Sequence, residues 1–141
     1  INRIKKHRSD IEIKVISSRR TSDSVKGIIS NNLKNIASIW TGQGENPYEN
    51  SLKKSSFFIV TSDSTSMISE AAISGKPIYV YHLPFKRFSK RISNFHEEFN
   101  KLAITRDIKN INHLENWEYV LLNESERIAK IIKKKILEKN I

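Results

Sequence analysis

The chain lacks cysteine entirely and contains only four glycines, three prolines and one methionine. The absence of cysteine excludes disulfide bonds and thiolate metal sites, and it is typical of a reducing compartment. No apolar run approaches the ~20 residues of a membrane-spanning helix. Acidic residues are also scarce, 15 against 25 basic ones, which gives a net charge of +10. This charge favours an anionic ligand or surface, although a genome-wide bias toward Lys, Ile and Asn would produce it as well.

Several motifs of nucleotide and metal chemistry are also missing from the sequence. The glycines form neither the G-x-G-x-x-G turn of dinucleotide-binding folds nor the G-x-x-x-x-G-K-[ST] loop of P-loop hydrolases. The four histidines are scattered, and no Asp-x-Asp pair ends a predicted strand. We therefore expect no metal and no cofactor. Because the basic residues are not interleaved with aromatic ones, we expect no binding of nucleic acid.

Short apolar segments alternate with helical patterns, which predicts an α/β fold with a parallel sheet. We expect one domain over residues 1–141, in which 1–10 form the end of a preceding helix or a linker and 107–118 are irregular. Strands covered by helices on both faces are typical of a Rossmann-like sheet. Strands are predicted at 12–17, 37–41, 57–61, 78–82 and 103–105, and helices at 23–35, 47–54, 65–74, 88–102 (with Phe88 on the apolar face) and 123–139.

The segment 57–84 carries the strongest functional signal, because a hydroxyl-rich turn joins a buried strand to a short helix. Ser62, Ser64, Thr65 and Ser66 stand in this turn. The free N–H groups of a helix start, together with such hydroxyls, suit a phosphate group. The alternative is an ordinary helix cap with incidental serines.

Glu70 lies one turn further along the same helix, beside the apolar Met67. A carboxylate with apolar neighbours should be hydrogen-bonded, and a ribose diol is a fitting partner. The alternative is a surface carboxylate on the exposed side of the helix.

Two more polar segments follow predicted strands and should reach the same sheet edge, where ligands of such folds bind. Residues 18–21 offer two guanidinium groups for a diphosphate, or else form a solvated loop with Thr21 or Ser22 as a helix cap. Residues 46–48 present Asn46 and Tyr48, or else are plain loop. The candidate substrate-binding residues are Ser18, Arg19, Arg20, Thr21, Asn46, Tyr48, Ser62, Ser64, Thr65, Ser66, Met67 and Glu70.

The order of these segments resembles one protein family. SRRT at 18–21, NPY at 46–48, TSDSTSMISEAAISGKP at 61–77, and Trp117, Tyr119 and Leu122-Asn123 occur as in the "elongated mitochondria" family of mitochondrial fission. That family is regarded as glycosyltransferases of the GT-B fold. The likeness covers roughly residues 11–135 and implies the C-terminal, donor-binding domain of a two-domain protein.

The central segment also resembles the donor motif of the peptidoglycan N-acetylglucosaminyltransferase. That resemblance implies that Ser64, Thr65 and Ser66 meet the diphosphate and that Glu70 holds the ribose. Arg19 and Arg20 would neutralise the leaving diphosphate. The resemblance also implies a separate N-terminal domain with the catalytic base and acceptor site, so catalytic residues stay unknown and the fragment alone is expected to be inactive.

We therefore expect the donor-binding domain of a metal-independent, GT-B-like glycosyltransferase, with a nucleotide-diphosphate sugar as its ligand. One alternative is a nucleotide-sugar epimerase of the same fold. Another is a non-enzymatic protein on a membrane surface, since the lysines of the terminal helix lie opposite its isoleucines. We expect those isoleucines to pack onto the domain. The expected location is cytoplasmic, with peripheral contact at the inner membrane face in the last alternative.

Overall fold

The computed structural model describes residues 1–84 and 89–139. Within these ranges, short strands alternate with helices as the sequence predicts. The strands are β1 (Lys14–Ile16), β2 (Ser38–Trp40), β3 (Phe58–Thr61), β4 (Ile78–Tyr81) and β5 (Thr105–Asp107). The helices are α1 (Asn2–His7), α2 (Asp23–Leu33), α3 (Tyr48–Lys54), α4 (Thr65–Ala72), α5 (Lys90–Lys101) and α6 (Glu124–Lys139), with a 3-10 turn over Ile108–Asn110.

The described strands form two parallel sheets. β1 pairs with β2, with Val15 opposite Ile39. β3, β4 and β5 form the second sheet, in which Val80 of the central strand lies opposite Val60 on one side and Asp107 on the other. Parallel neighbours need crossover connections, and α2, α4 and α5 provide them. The structure confirms an α/β, Rossmann-like fold.

The best-packed part of the core surrounds β4. Ile78, Tyr79 and Val80 are buried in succession, and Ile68 of α4 and Ile104 close around them. Burial of successive strand residues means that both faces of the strand are covered, as expected for a parallel sheet. The β1–β2 half is packed less tightly, since α2 contains no buried residue.

Two element boundaries are set by backbone conformation. The fifth strand begins at Thr105 rather than Ala103, because Ala103 has a φ of 56° and cannot continue an extended strand. The predicted left-handed cap after α4 is present at Gly75, with a φ of 70°. Ser89 caps α5 by accepting a hydrogen bond from the Ile92 N–H at 3.4 Å. Phe88, with which the sequence pattern starts this helix, lies outside the described residues.

The terminal helix α6 differs from expectation. The isoleucines of this helix were expected to pack onto the domain, and this prediction is wrong. Ile128, Ile131, Ile132 and Ile136 are between 43% and 55% exposed. Instead of these isoleucines, Tyr119 and Leu122, just before α6, pack against the buried core. This part of the core consists of Ala71, Ala72, Ile78 and Ile104. Among the described residues, no helix combines the length and apolar character needed to cross a bilayer.

Candidate functional site

The loop after β1 and the turn after β3 meet in the structure. Nη2 of Arg20 donates a hydrogen bond to the Asp63 carbonyl oxygen at 3.4 Å. These two segments are 43 residues apart in the sequence. The contact therefore brings the two ends of the strands to one common edge, as the sequence pattern predicts.

Hydroxyl groups hold the 18–21 turn in shape. The N–H of Ser18 donates to Oγ1 of Thr21 at 3.1 Å, and the N–H of Arg20 donates to Oγ of Ser18 at 3.2 Å. Ser22, one of the two predicted caps, accepts from the Val25 N–H at the start of α2. Ser18 and Thr21 are thus engaged with each other, whereas Arg19 and Arg20 are exposed.

The N-terminus of α4 has no side-chain cap. Ser64 precedes the helix, and its hydroxyl accepts no capping hydrogen bond. Within residues 1–84 and 89–139, no acceptor receives the N–H groups of Thr65, Ser66 or Met67. The first turn also contains no acidic residue. The partial positive charge of this helix start is therefore open to an anion, next to Arg20.

Ser62 is placed differently from its neighbours in the turn. It is 2% exposed, and its Oγ accepts a hydrogen bond from the Leu83 N–H at 3.1 Å. Its carbonyl oxygen accepts from Nε2 of His96 at 2.7 Å. Ser62 thus ties the turn to the end of β4 and to α5, and its hydroxyl is engaged inside the fold.

His96 is a residue of this region that the sequence pattern did not single out. Because a carbonyl oxygen only accepts hydrogen bonds, Nε2 carries the proton and the buried Nδ1 is the unprotonated nitrogen. Burial lowers the pKa of His96, the Ser62 carbonyl opposes this, and His82 lowers the pKa further. The imidazole is therefore neutral at neutral pH. The available signal was a histidine among Ile92, Phe95 and Phe99 on the apolar face of α5.

Tyr48 and Glu70 form a second polar group at the site. The Tyr48 hydroxyl donates a hydrogen bond to Oε2 of Glu70 at 2.6 Å. Burial raises the pKa of Tyr48, and the bond to Glu70 and its negative charge raise it further. Asn46 fixes the start of α3 by accepting from the Tyr48 N–H at 3.0 Å. Met67 lines the same cavity as Tyr48.

Helix α4 connects the two polar groups. Its N-terminus lies beside Arg20, and Glu70 lies four residues beyond Ser66, about 6 Å along the helix axis. A phosphate at the helix start and a sugar attached to it fit this separation. The structure brings the 18–21 turn to the start of α4 through Arg20, and Tyr48 to Glu70 of the same helix. The side chains of four other predicted site residues form hydrogen bonds within the fold: Ser18, Thr21, Asn46 and Ser62.

The chain matches one protein family and two longer relatives. A sequence model of the family described as Mitochondrial fission ELM1 matches residues 1–136. The chain is 39% identical over 122 residues to uncharacterized protein RP120 of Rickettsia prowazekii (strain Madrid E), covering 82% of the chain and 34% of that protein. It is 33% identical over 99 residues to mitochondrial fission protein ELM1 of Arabidopsis thaliana, covering 70% of the chain and 23% of that protein.

The matched region is only part of each relative. The chain spans about a third of the Rickettsia protein and about a quarter of the plant protein. No solved structure shows a significant match to the chain.

Proposed function

The chain belongs to the mitochondrial fission ELM1 family, and we propose that it binds the nucleotide-sugar donor of a metal-independent glycosyltransferase of the GT-B type. The observation that carries this proposal is the uncapped start of α4 beside Arg20. Free backbone N–H groups and a guanidinium at one point suit a diphosphate. The resemblance of residues 61–77 to a donor motif supports the same ligand.

Arg19 and Arg20 would stabilise the leaving diphosphate. Negative charge grows on that group as the glycosidic bond breaks, so fixed positive charge there lowers the barrier. Arg20 contacts the carbonyl oxygen of Asp63 rather than its carboxylate. Its guanidinium therefore keeps most of its donors for phosphate oxygens.

Glu70 would accept the hydroxyl groups of the ribose. Its Oε2 already receives the Tyr48 hydroxyl, which fixes the orientation of the carboxylate. The remaining lone pairs suit a diol, because an ionised carboxylate is acceptor-only. Tyr48 would then act as a positioning residue.

Isothermal titration calorimetry with UDP, GDP, ADP and CMP, each compared with its nucleoside, tests the donor site. Arg20→Ala should weaken diphosphate binding about 10-fold or more, the loss of a charge-assisted hydrogen bond, and leave nucleoside binding unchanged. Lys34→Ala removes the same charge at the far end of α2 and serves as the control. No binding of any nucleotide at millimolar concentration, or equal losses in the two variants, would refute the proposal.

A second candidate function, contact with an anionic membrane surface, is favoured by the exposure of α6. Its isoleucines form an uncovered apolar face, and six basic residues against three acidic ones give the helix a net positive charge. Amphipathic helices of this composition bind at the lipid interface.

Flotation with vesicles of phosphatidylcholine containing about a third of phosphatidylglycerol tests this function. The chain should float with these vesicles and not with pure phosphatidylcholine, because the attraction requires anionic lipid. Ile132→Asp should abolish flotation, whereas Ile73→Asp, at an isoleucine exposed elsewhere on the domain, should not. Flotation that survives Ile132→Asp would exclude α6 as the contact.

A further inference from the structure

An apolar cleft separates the two sheets. Its volume is about 570 Å³, and its walls include Val15 and Ile16 of β1 and Phe58 and Val60 of β3. β1 and β3 are each the edge strand of their own sheet. The contact between Arg20 and Asp63 joins the segments that follow these two strands, so the carboxyl ends of both strands lie at one edge.

The backbone groups of both edge strands face this cleft. The Ser38 N–H donates to the Ile13 carbonyl and the Ser17 N–H to the Trp40 carbonyl, so alternate residues of β1 point toward β2. The N–H and C=O groups of Lys14 and Ile16 therefore point the other way.

The same alternation applies to β3. The Phe58 N–H donates to the Pro77 carbonyl and the Ser62 N–H to the Tyr81 carbonyl. The backbone of Ile59 thus points away from β4. In the part of the chain that the structure describes, no residue bonds the N–H groups of Lys14, Ile16 or Ile59. Two open ladder edges beside an apolar cleft are costly, and native folds cover or pair them.

The cleft has the size of one short strand. Its lining includes every residue of β1 and the first three of β3, strands of three and four residues, so the cleft runs along both edges for the length of one short strand.

We propose that this cleft holds an additional parallel strand, inserted between β1 and β3 and supplied by a segment outside the matched region, of the kind that the longer relatives contain. The relatives leave ample chain for it, since the matched region covers 34% and 23% of their lengths. Helix α1 is placed to connect the inserted strand to β1. It precedes β1, and Ile4 is buried while lining the cleft. In a βαβ unit, such a helix joins its strand to a parallel neighbour.

The inserted strand would unite the two sheets. The order becomes β2-β1-inserted strand-β3-β4-β5, which is the 3-2-1-4-5-6 order of a doubly wound sheet. In that arrangement the inserted strand is the topological switch point, and ligands bind beyond its carboxyl end. This end would emerge between the 18–21 turn and the start of α4. The residues that follow the strand would complete the candidate site, a consequence that rests on the proposed function.

Paired proline substitutions test the open edge in this chain. Ile59→Pro removes an N–H that only an inserted strand would use, so the variant should keep a cooperative melting transition. Val60→Pro removes an N–H that faces β4 and should abolish that transition. In NMR hydrogen exchange, the Lys14, Ile16 and Ile59 amides should exchange at least tenfold faster than those of Val15 and Val60. Equal damage by both prolines, or equal protection of all five amides, would overturn the proposal.

The crystal structure of the full-length Rickettsia relative identifies the occupant. A strand from outside its matched region should lie between the strands equivalent to β1 and β3. Direct pairing of those two strands, a cleft filled by side chains, or a strand donated by a second copy would each contradict the proposal. Neither experiment involves nucleotide, so a negative titration result leaves these outcomes unaffected.

Discussion

At the scale of single residues, His96 fixes the turn between β3 and α4 from inside the fold. Its Nε2 donates to the Ser62 carbonyl at 2.7 Å, and the Ser62 hydroxyl accepts from the Leu83 N–H. One imidazole and one hydroxyl thereby fix the strand-to-helix turn that precedes Ser64. The open helix start depends on this support as much as on its own residues.

The stability of the chain should fall in mildly acidic solution because of His96. Its pKa in the folded state lies below the ordinary value of 6.5. In mildly acidic solution, the unfolded chain binds a proton at His96 that the folded chain does not bind. The stabilisation of the fold by neutral His96 is therefore complete above pH 6.5 and declines as the pH falls below it. Thermal melting at pH 7.5, 6.5 and 5.5 measures the decline.

Two variants separate His96 from other groups in this pH range. His96→Gln should melt at a lower temperature at pH 7.5 and show a flatter dependence on pH. His7→Gln, at an exposed position of α1, should keep the slope of the original chain. An unchanged slope in His96→Gln would show that another group controls the pH dependence.

The residues at strand ends could be predicted from the sequence, but their internal partners could not. The alternation of strands and helices places Arg20 and Ser64 at one edge, because parallel strands end on the same side. The bond between His96 and Ser62 spans 34 residues. The Ser62 hydroxyl accepts from the Leu83 N–H, 21 residues along the chain. No local pattern encodes such pairings, so both became visible only in the structure. The ligand roles of these residues stay predictions.

At the scale of elements, α4 combines two demands that oppose each other. An uncapped start with no acidic residue costs helix stability, because the first N–H groups lack partners. The same lack keeps the helix start free for an anion. An acidic residue there should therefore improve the helix and weaken the site.

Ser66→Asp tests this opposition directly. Ser66 is exposed in the first turn of α4, so the carboxylate should raise the free energy of unfolding by about 0.3–1 kcal/mol. The same charge should repel a diphosphate and lower its affinity. Ser66→Asn has nearly the same shape as Ser66→Asp without the charge, so the difference between the two variants isolates the effect of the carboxylate. Urea unfolding and calorimetric titration with UDP provide the two measurements, and a gain or loss of both together would contradict the argument.

Helix α6 shows which element properties a sequence pattern leaves open. The spacing of its isoleucines correctly predicted a helix with one apolar face. Periodicity identifies the apolar face of a helix but not what packs against it, because the packing partner comes from other parts of the fold or from another molecule. The same holds for the sheet. The short apolar runs predicted parallel strands, but not that β1–β2 and β3–β4–β5 would form two separate sheets.

At the scale of the whole molecule, packing is concentrated in the β3–β4–β5 sheet. Ile78, Tyr79 and Ile104 are fully buried, whereas α2 contributes no buried residue. The aromatic segment after β5 reinforces this half, with Trp117 packed edge-on against Tyr79 at 5.1 Å and under the Arg106 guanidinium at 4.2 Å. We therefore expect the half that carries Arg19 and Arg20 to be the less stable one, which agrees with the further strand proposed at its edge.

Paired truncations should reveal this unequal distribution of stability. Ile104→Ala removes a side chain that is 0% exposed and should lower the free energy of unfolding by about 2–5 kcal/mol, through lost burial and the cavity left behind. Ile28→Ala makes the same chemical change on α2, where the side chain is 60% exposed, and should alter it by less than about 0.5 kcal/mol. Urea unfolding measures both. Comparable losses in the two variants would mean that a partner, such as a second copy of the chain, covers α2 in solution, and the stability would then depend on protein concentration.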